Sequence, residues 1–571
     1  MKNTKFSLLA LLPLLTTVLA SCGGQTVQEN DNGVTYVHVL NAEDYIDEDL
    51  LGEFEDYIYE RDGKRVSIIY DTYDTNETMY NTIQTGKTSY DLICASDYMV
   101  QRLANEGYLH RIDHNDVPFY NNFVSEFLSN DDPSNPGKLN LLKVNNDEGS
   151  FELDDYSAGY MWGTLGILYN PEYILNFNSE AFDNDPEWKD LSHDERISKI
   201  VETFEGDDGY SFLWNPLLNG TISIKDSMRD TYAIGNFEVF KDFYLGESTY
   251  DERNEKFNDS TNDTIELIKN KLIELKGNIF GFEVDSGKND IVTQKIGVNV
   301  AWSGDAVNSI NRGYYADDDW TIPREDPVDL YYSAPKLGAN VWMDIWATPE
   351  SSVPGYYESD TYKYTLEFLD YLNMPENSIR NVYYNGYTSF ITSGTNTNYD
   401  EEEAKAMLAY MLYSYDLSDG DEDSDYESYD LYDVTPFFNF TEEFTVDLSY
   451  VSGEILGEEV DDRTFTFKKD ENGEVKILIR TDFDSFEGRL LKAQYPEAST
   501  IDSLYVMNDY GPQNDKIVQM WEDVKVNPLP LWITITLIVF LVLFIGYLGS
   551  YKLIRIIKLK NRKKMRENSS K

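Results

Sequence analysis

The chain is 571 residues long, carries a formal net charge of −56, and is 14% aromatic, with 44 tyrosines. That aromatic content is incompatible with wholesale disorder, and the acidity excludes nucleic acid as an expected partner, because phosphate binding needs a basic surface. Cys22 and Cys94 are the two cysteines present, which leaves no disulfide framework and no thiolate metal site.

In chain order, Lys2 and Lys5 precede an apolar run from Phe6 to Ala20 that closes on Leu19-Ala20-Ser21-Cys22. At about 15 residues the run is too short to span a hydrocarbon core of roughly 30 Å. Its charged, apolar and small-residue regions are those of a secretion signal. The ending matches a bacterial lipobox, so residues 1–22 read as a lipoprotein signal peptide with Cys22 as the lipidated first residue of the mature chain. After a polar tether, residues 34–40 predict a strand, 44–59 a helix, 65–70 a strand, 77–84 a helix and 91–95 a strand. The alternation resumes at 162–170, 221–236, 295–312 and 362–373, and argues for an α/β protein with a parallel sheet. Cys94, inside the apolar run 91–96, reads as a small buried hydrophobe.

Residues 416–430 form an acidic block, expected to be a solvated loop. Its Asp419, Asp421 and Asp423 have the spacing of a calcium loop, but Ser424 replaces the turn glycine and Asp430 the terminal Glu. Residues 464–468 and 475–480 flank Asn472-Gly473, a hairpin signal, so 415–485 reads as an acidic and hairpin insertion. Residues 529–551 are apolar and uncharged over a length that spans a bilayer. Nine basic residues follow in 552–571 against one acid, Glu567, which puts that tail in the cytosol and the domain outside. Between the two membrane ties stand 36 basic residues against 102 acidic ones, a net of −66. A field of that sign raises the local concentration of cations, and the same composition also serves plain solubility.

Nucleophile and nucleotide motifs are absent: there is no GxSxG, HExxH, Walker loop or GxGxxG. His110 and His114 have a metal-like spacing but follow a helix end and read as a turn, so no metal is expected. The informative feature is the pairing of Trp with Asp. In Asn340-Val341-Trp342-Met343-Asp344 a strand puts Trp342 and Asp344 on one face. Val298 to Asp305 ends a strand in a small-residue turn that presents Trp302 at a carboxyl edge, where ligands sit in open α/β sheets. An aromatic face beside a carboxylate suits an organic ammonium, the ring taking the cation and the carboxylate its hydrogen bonds. Each Trp taken alone also reads as core.

The segments 41–45, 73–80, 91–98, 106–113, 160–163, 226–230, 301–304, 341–344 and 385–388 resemble, in order, the spermidine/putrescine-binding proteins of bacterial ABC importers. The resemblance covers roughly 34–395, and 485–525 more loosely. It implies a two-lobed type II periplasmic-binding-protein fold with a hinge cleft, one lobe from 34–162 and 343–395, the other from 163–342 and 396–525. It further implies that Tyr45, Ser96, Tyr98, Asp230, Trp302, Trp342, Asp344 and Tyr387 line a polyamine cleft, with Asp344 and Asp230 each pairing with an amino group. No enzyme activity and no cofactor is implied. The implied partners are a polyamine and separate ABC permease and ATPase subunits, with the membrane reached through the Cys22 lipid and the C-terminal helix. Ala42, Ser227 and Met507 depart from residues common in that family. Read locally, Asp226 is an N-cap candidate, Asp230 favours the helix dipole, and Ser96 serves equally as a cap of the next helix. A same-fold receptor for another solute, a carboxylate-pair ectoenzyme and an adhesin built on 415–485 are the competing readings.

Overall fold

The computed structural model describes residues 33–86, 89–284, 286–317, 320–392, 400–415, 430–526 and 531–568. The secretion signal, Cys22 and the acidic block 416–429 lie outside them.

The first strand, β1 (Val34–Ala42), pairs in parallel with β2 (Arg65–Tyr73) after the connecting helix α1 (Asp49–Asp62). That helix buries Leu50, Phe54 and Ile58, spaced four apart on one face, and ends at Gly63 with φ 64°, a left-handed conformation that glycine adopts without a Cβ clash. Helix α2 (Asn76–Thr85) is started by Thr75, whose hydroxyl accepts from the Thr78 N–H. Strand β3 (Leu92–Ser96) and helix α3 (Asp97–Asn105) complete this group.

The next strand, β4 (Ser157–Tyr169), is 13 residues long and buried throughout. A second group follows: β5 (Ile222–Lys225), α4 (Met228–Val239), β6 (Ile279–Glu283), β7 (Val298–Trp302) and α5 (Ser303–Tyr314). Strand β8 (Ala339–Pro349) then returns to the sheet, whose order is β2-β1-β3-β8-β4-β7-β5-β6. Pairings within each group are parallel. However, β8 runs antiparallel to both β3 and β4, and β4 antiparallel to β7. The sheet is therefore mixed, not parallel as the alternation implied. Local strand–helix periodicity reports βα units, whereas β4 and β8 join the two groups and carry no helix of their own to mark their direction.

Helix α6 (Pro375–Asn385) leads into the short strand β9 (Thr388–Ser389) against β4, followed by α7 (Ala406–Ser414) packed on α6. Four short strands come next: β10 (Asp430–Asp433), β11 (Phe444–Asp447), β12 (Thr464–Phe467) and β13 (Leu478–Thr481). The turn expected at Asn472-Gly473 forms, with Gly473 at φ 83° and a bridge between Lys469 and Val475. Its flanks then part: β12 pairs with β11, and β13 with β10. Aromatic packing decides this, since Phe467 is buried and stacks on Phe444 at 5.2 Å. Phe437 packs on Phe127 and Trp162, with Ser125 Oγ donating to its carbonyl at 3.1 Å. Part of 396–525 thus rests on the 34–162 segment, while α8 (Phe486–Gln494) packs on α5 and β14 (Leu504–Val506) pairs with β8.

Residues from Val518 onward form a separate unit. It contains α9 (Leu531–Asn568), in which the stretch Val539–Arg562 holds an 18-residue window of mean hydropathy 1.7, none of it buried. By length and composition it is able to cross a membrane. The helix continues unbroken past the expected span to Asn568.

Candidate functional site

The site is built around a carboxylate at the centre of the sheet. Asp344 on β8 stands opposite Ser96 on β3 in antiparallel register. Ser96 Oγ donates to Asp344 Oδ1 and Tyr45 Oη to Asp344 Oδ2, both at 2.7 Å. Asn76 Nδ2 in turn donates to Ser96 Oγ at 3.0 Å, fixing the hydroxyl from behind. Burial lifts the Asp344 pKa above the usual carboxylate value, and the two hydroxyls draw it partly back. Ser96 makes no side-chain cap for α3; its hydroxyl is committed to Asp344. Trp342 and Asp344 are half-buried while Val341, Met343 and Ile345 are buried, so the alternation read from sequence holds.

Aromatic rings wall this carboxylate. Tyr387 lies edge-on to Tyr45, with centroids 5.5 Å apart, and to Trp342 at 5.4 Å. Tyr45 also meets Tyr160 edge-on at 5.4 Å. The Tyr387 hydroxyl donates to Asp305 Oδ1 on α5 at 3.2 Å, so one ring links strand β9's approach to the second strand group. This close approach needs Gly304: a Cβ there would sit 2.1 Å from the Tyr387 ring.

At the other end, Trp302 closes β7. Its ring lies 4.8 Å from Lys225 Nζ, which is also 2.8 Å from Asp305 Oδ2 and 3.6 Å from Glu283 Oε1. Asp230 sits in the first turn of α4, and its N–H donates to Ser227 Oγ at 3.3 Å. The N-cap is therefore Ser227, not Asp226, which is exposed: the chain turns one residue later than the strand end suggested. Asp230 is 6% exposed and its Oδ2 has no hydrogen-bond partner. Burial raises its pKa, against Ser227, Trp302, Lys225 and Arg229, which lower it.

Tyr98 is placed differently. The Arg229 guanidinium lies over its ring at 3.8 Å, with the Tyr510 ring at 4.4 Å. Next to it, Asp97 accepts from the Tyr98 and Met343 N–H groups, and its pKa is pushed up to about 7 by burial. The structure thus gathers Tyr45, Ser96, Trp342, Asp344 and Tyr387 at one end and Asp230 and Trp302 at the other, with Tyr98 covered by Arg229. Sequence reading missed Asn76, Lys225, Arg229 and Asp305. A strand pattern predicts an apolar residue at Lys225, and no local signal marks a buried lysine. His110 stacks on Tyr357 and His114 faces the Ser157 carbonyl; among the described residues no group of acids, histidines and cysteines is arranged to hold a metal.

No protein-family model matches the chain. It is 25% identical to the putrescine-binding periplasmic protein PotF of Escherichia coli, over 60% of this chain and 74% of that protein. It is 25% identical to the putrescine-binding periplasmic protein SpuD of Pseudomonas aeruginosa, over 64% of this chain and 80% of the other. The spermidine/putrescine-binding periplasmic protein of Escherichia coli is 24% identical over 59% of this chain and 74% of its own length. Among solved structures, the PotD substrate-binding protein of Streptococcus pneumoniae is 20% identical, with 86% of this chain and 98% of that one covered at a TM-score of 0.47. The chain is thus a distant sequence relative of the spermidine- and putrescine-binding periplasmic proteins of bacteria.

Proposed function

We propose that this chain is an extracytoplasmic receptor that captures a polyamine and delivers it to an ABC importer. The observation that carries the reading is Asp344: a half-buried carboxylate oriented by two hydroxyls and walled by Tyr387 and Trp342, with no ion pair of its own among the described residues. An alkyl ammonium supplies the missing charge, and the rings accept its methylenes. The names of the sequence relatives point to the same ligand class and to binding rather than turnover.

In this reading Tyr45, Ser96, Trp342, Asp344 and Tyr387 form one half of a cleft and Asp230, Trp302 and Tyr98 the other. The halves belong to two lobes of a type II periplasmic-binding-protein fold, 34–162 with 343–395 and 163–342 with the C-terminal return, and ligand closes the hinge between them. The Cys22 lipid and α9 would hold the receptor beside its permease and ATPase, with the basic residues from 552 onward on the cytosolic side. Equilibrium dialysis of the full-length chain against putrescine and spermidine tests the proposal. One saturable polyamine per chain, lost in D344N, supports it; no saturable uptake of either contradicts it.

A further inference from the structure

We propose that Lys225 is a resident ammonium that fixes the number of positive charges the cleft accepts at two, making it a site for a diamine over a triamine. The proposal rests on the polyamine-receptor reading and names its ligand more narrowly.

The arrangement that recognises an organic ammonium, an aromatic face beside a carboxylate, occurs at both ends of the site. At Trp302 the chain already fills it. Lys225 Nζ lies 4.8 Å from the Trp302 ring centroid, 2.8 Å from Asp305 and 3.6 Å from Glu283, and it donates to the Val284 carbonyl at 3.2 Å. The side chain is 2% exposed, so displacing it would strand a buried cation and its carboxylates. Asp305 is compensated a second time by Lys288 at 3.6 Å and receives the Tyr387 hydroxyl on its other oxygen. It has no charge left to offer a ligand.

Of the carboxylates gathered at the site, Asp344 and Asp230 have no side-chain ion pair among the described residues. Asp344 is held by hydroxyls alone, and Asp230 has an oxygen with no hydrogen-bond partner although it is more than nine-tenths buried. Asp97, another carboxyl nearby, has both oxygens taken by backbone N–H groups, those of Tyr98 and Met343. A ligand with two ammonium groups satisfies Asp344 and Asp230. A third ammonium finds no uncompensated carboxylate of the site left to pair with, while losing its water. Lys225 also backs the Trp302 ring from the protein side, which makes it a positioning residue as well as a charge filter.

The test is titration calorimetry of the full-length chain with putrescine and spermidine. Wild type is expected to prefer putrescine by about tenfold or more. K225M leaves Asp305 and Glu283 with Lys288 as their one remaining ion-pair partner among the described residues, so one negative charge is freed for a third ammonium and the preference should move toward spermidine by about tenfold, whereas K225R should keep the wild-type ratio and K225M/D305N, which removes that freed charge, should restore it. A merely structural role would weaken both ligands alike. If K225M fails to fold, D305N serves instead: it leaves Lys225 with Glu283 alone and adds one net positive charge to the site, and should penalise spermidine about tenfold more than putrescine. A wild type that prefers spermidine, or a ratio unmoved in K225M or D305N while binding persists, overturns the inference alone. A wild type that binds neither overturns the receptor reading and this inference with it.

Discussion

Ser96 and Asp344 stand opposite each other on antiparallel neighbours, 248 residues apart in the chain, and the serine hydroxyl donates to Asp344 Oδ1 at 2.7 Å. With Tyr45 on the second oxygen, the carboxylate is oriented before any ligand arrives, which lowers the ordering cost of binding. Replacing Asp344 by Asn keeps shape and removes charge. D344N is therefore expected to weaken polyamine binding by about 100-fold or more, roughly 3 kcal/mol, as the loss of one partner in a buried charge pair. Its thermal unfolding midpoint should be unchanged or higher, since burial already disfavours the charged form.

Binding should release protons. Burial raises the pKa of both Asp344 and Asp230 above the ordinary carboxylate value, and an ammonium pairs with the ionised form. Affinity is then expected to rise as pH climbs above the ordinary carboxylate range and to level off once both groups are ionised in the free protein. Calorimetry in two buffers of different ionisation enthalpy, run across a pH series, counts the protons; a value of zero at every pH would contradict the assignment.

Stability of the ligand-free protein should run the other way. Asp97 is pushed up to about 7 by burial, well above its unfolded value near 3.8. The folded state therefore holds the proton more tightly. The contribution is full below about pH 4 and disappears as pH rises through about 7. Asp370, also pushed up to about 7 by burial, acts in the same direction. Unfolding midpoints should fall between pH 4 and 8. D97N should flatten part of that slope, by a difference on the order of 2–4 kcal/mol.

The Gly304–Tyr387 approach makes a steric prediction. A Cβ at position 304 would stand 2.1 Å from the Tyr387 ring, so G304A must push the ring from Tyr45 and Trp342. Because the ring can move outward, stability should fall only by about 1–2 kcal/mol, while polyamine affinity drops about tenfold or more. Chemical denaturation and titration on the same sample separate the two effects.

Much of the site was legible because it sits on regular strands. Period-two alternation put Trp342 and Asp344 on one face, and the structure keeps them there. The ordered segments shared with the polyamine-binding proteins supplied Tyr45, Ser96 and Tyr387, which no local pattern ties to Asp344. What stayed hidden depends on contacts between distant segments. Lys225 carries no local mark of burial, yet it lies between Asp305 and Glu283. Arg229 carries none either, yet it covers Tyr98. Likewise the direction of β4 and β8 follows from how two strand groups are joined, which helix–strand spacing does not encode.

The central claim is tested most directly by titrating the full-length chain with putrescine and spermidine at physiological salt, alongside D344N and W302A. Salt matters, because a domain this acidic attracts any polycation weakly. One-to-one binding at about micromolar affinity or tighter that collapses in both variants is the predicted result. Weak, multisite heat that neither substitution changes would contradict it.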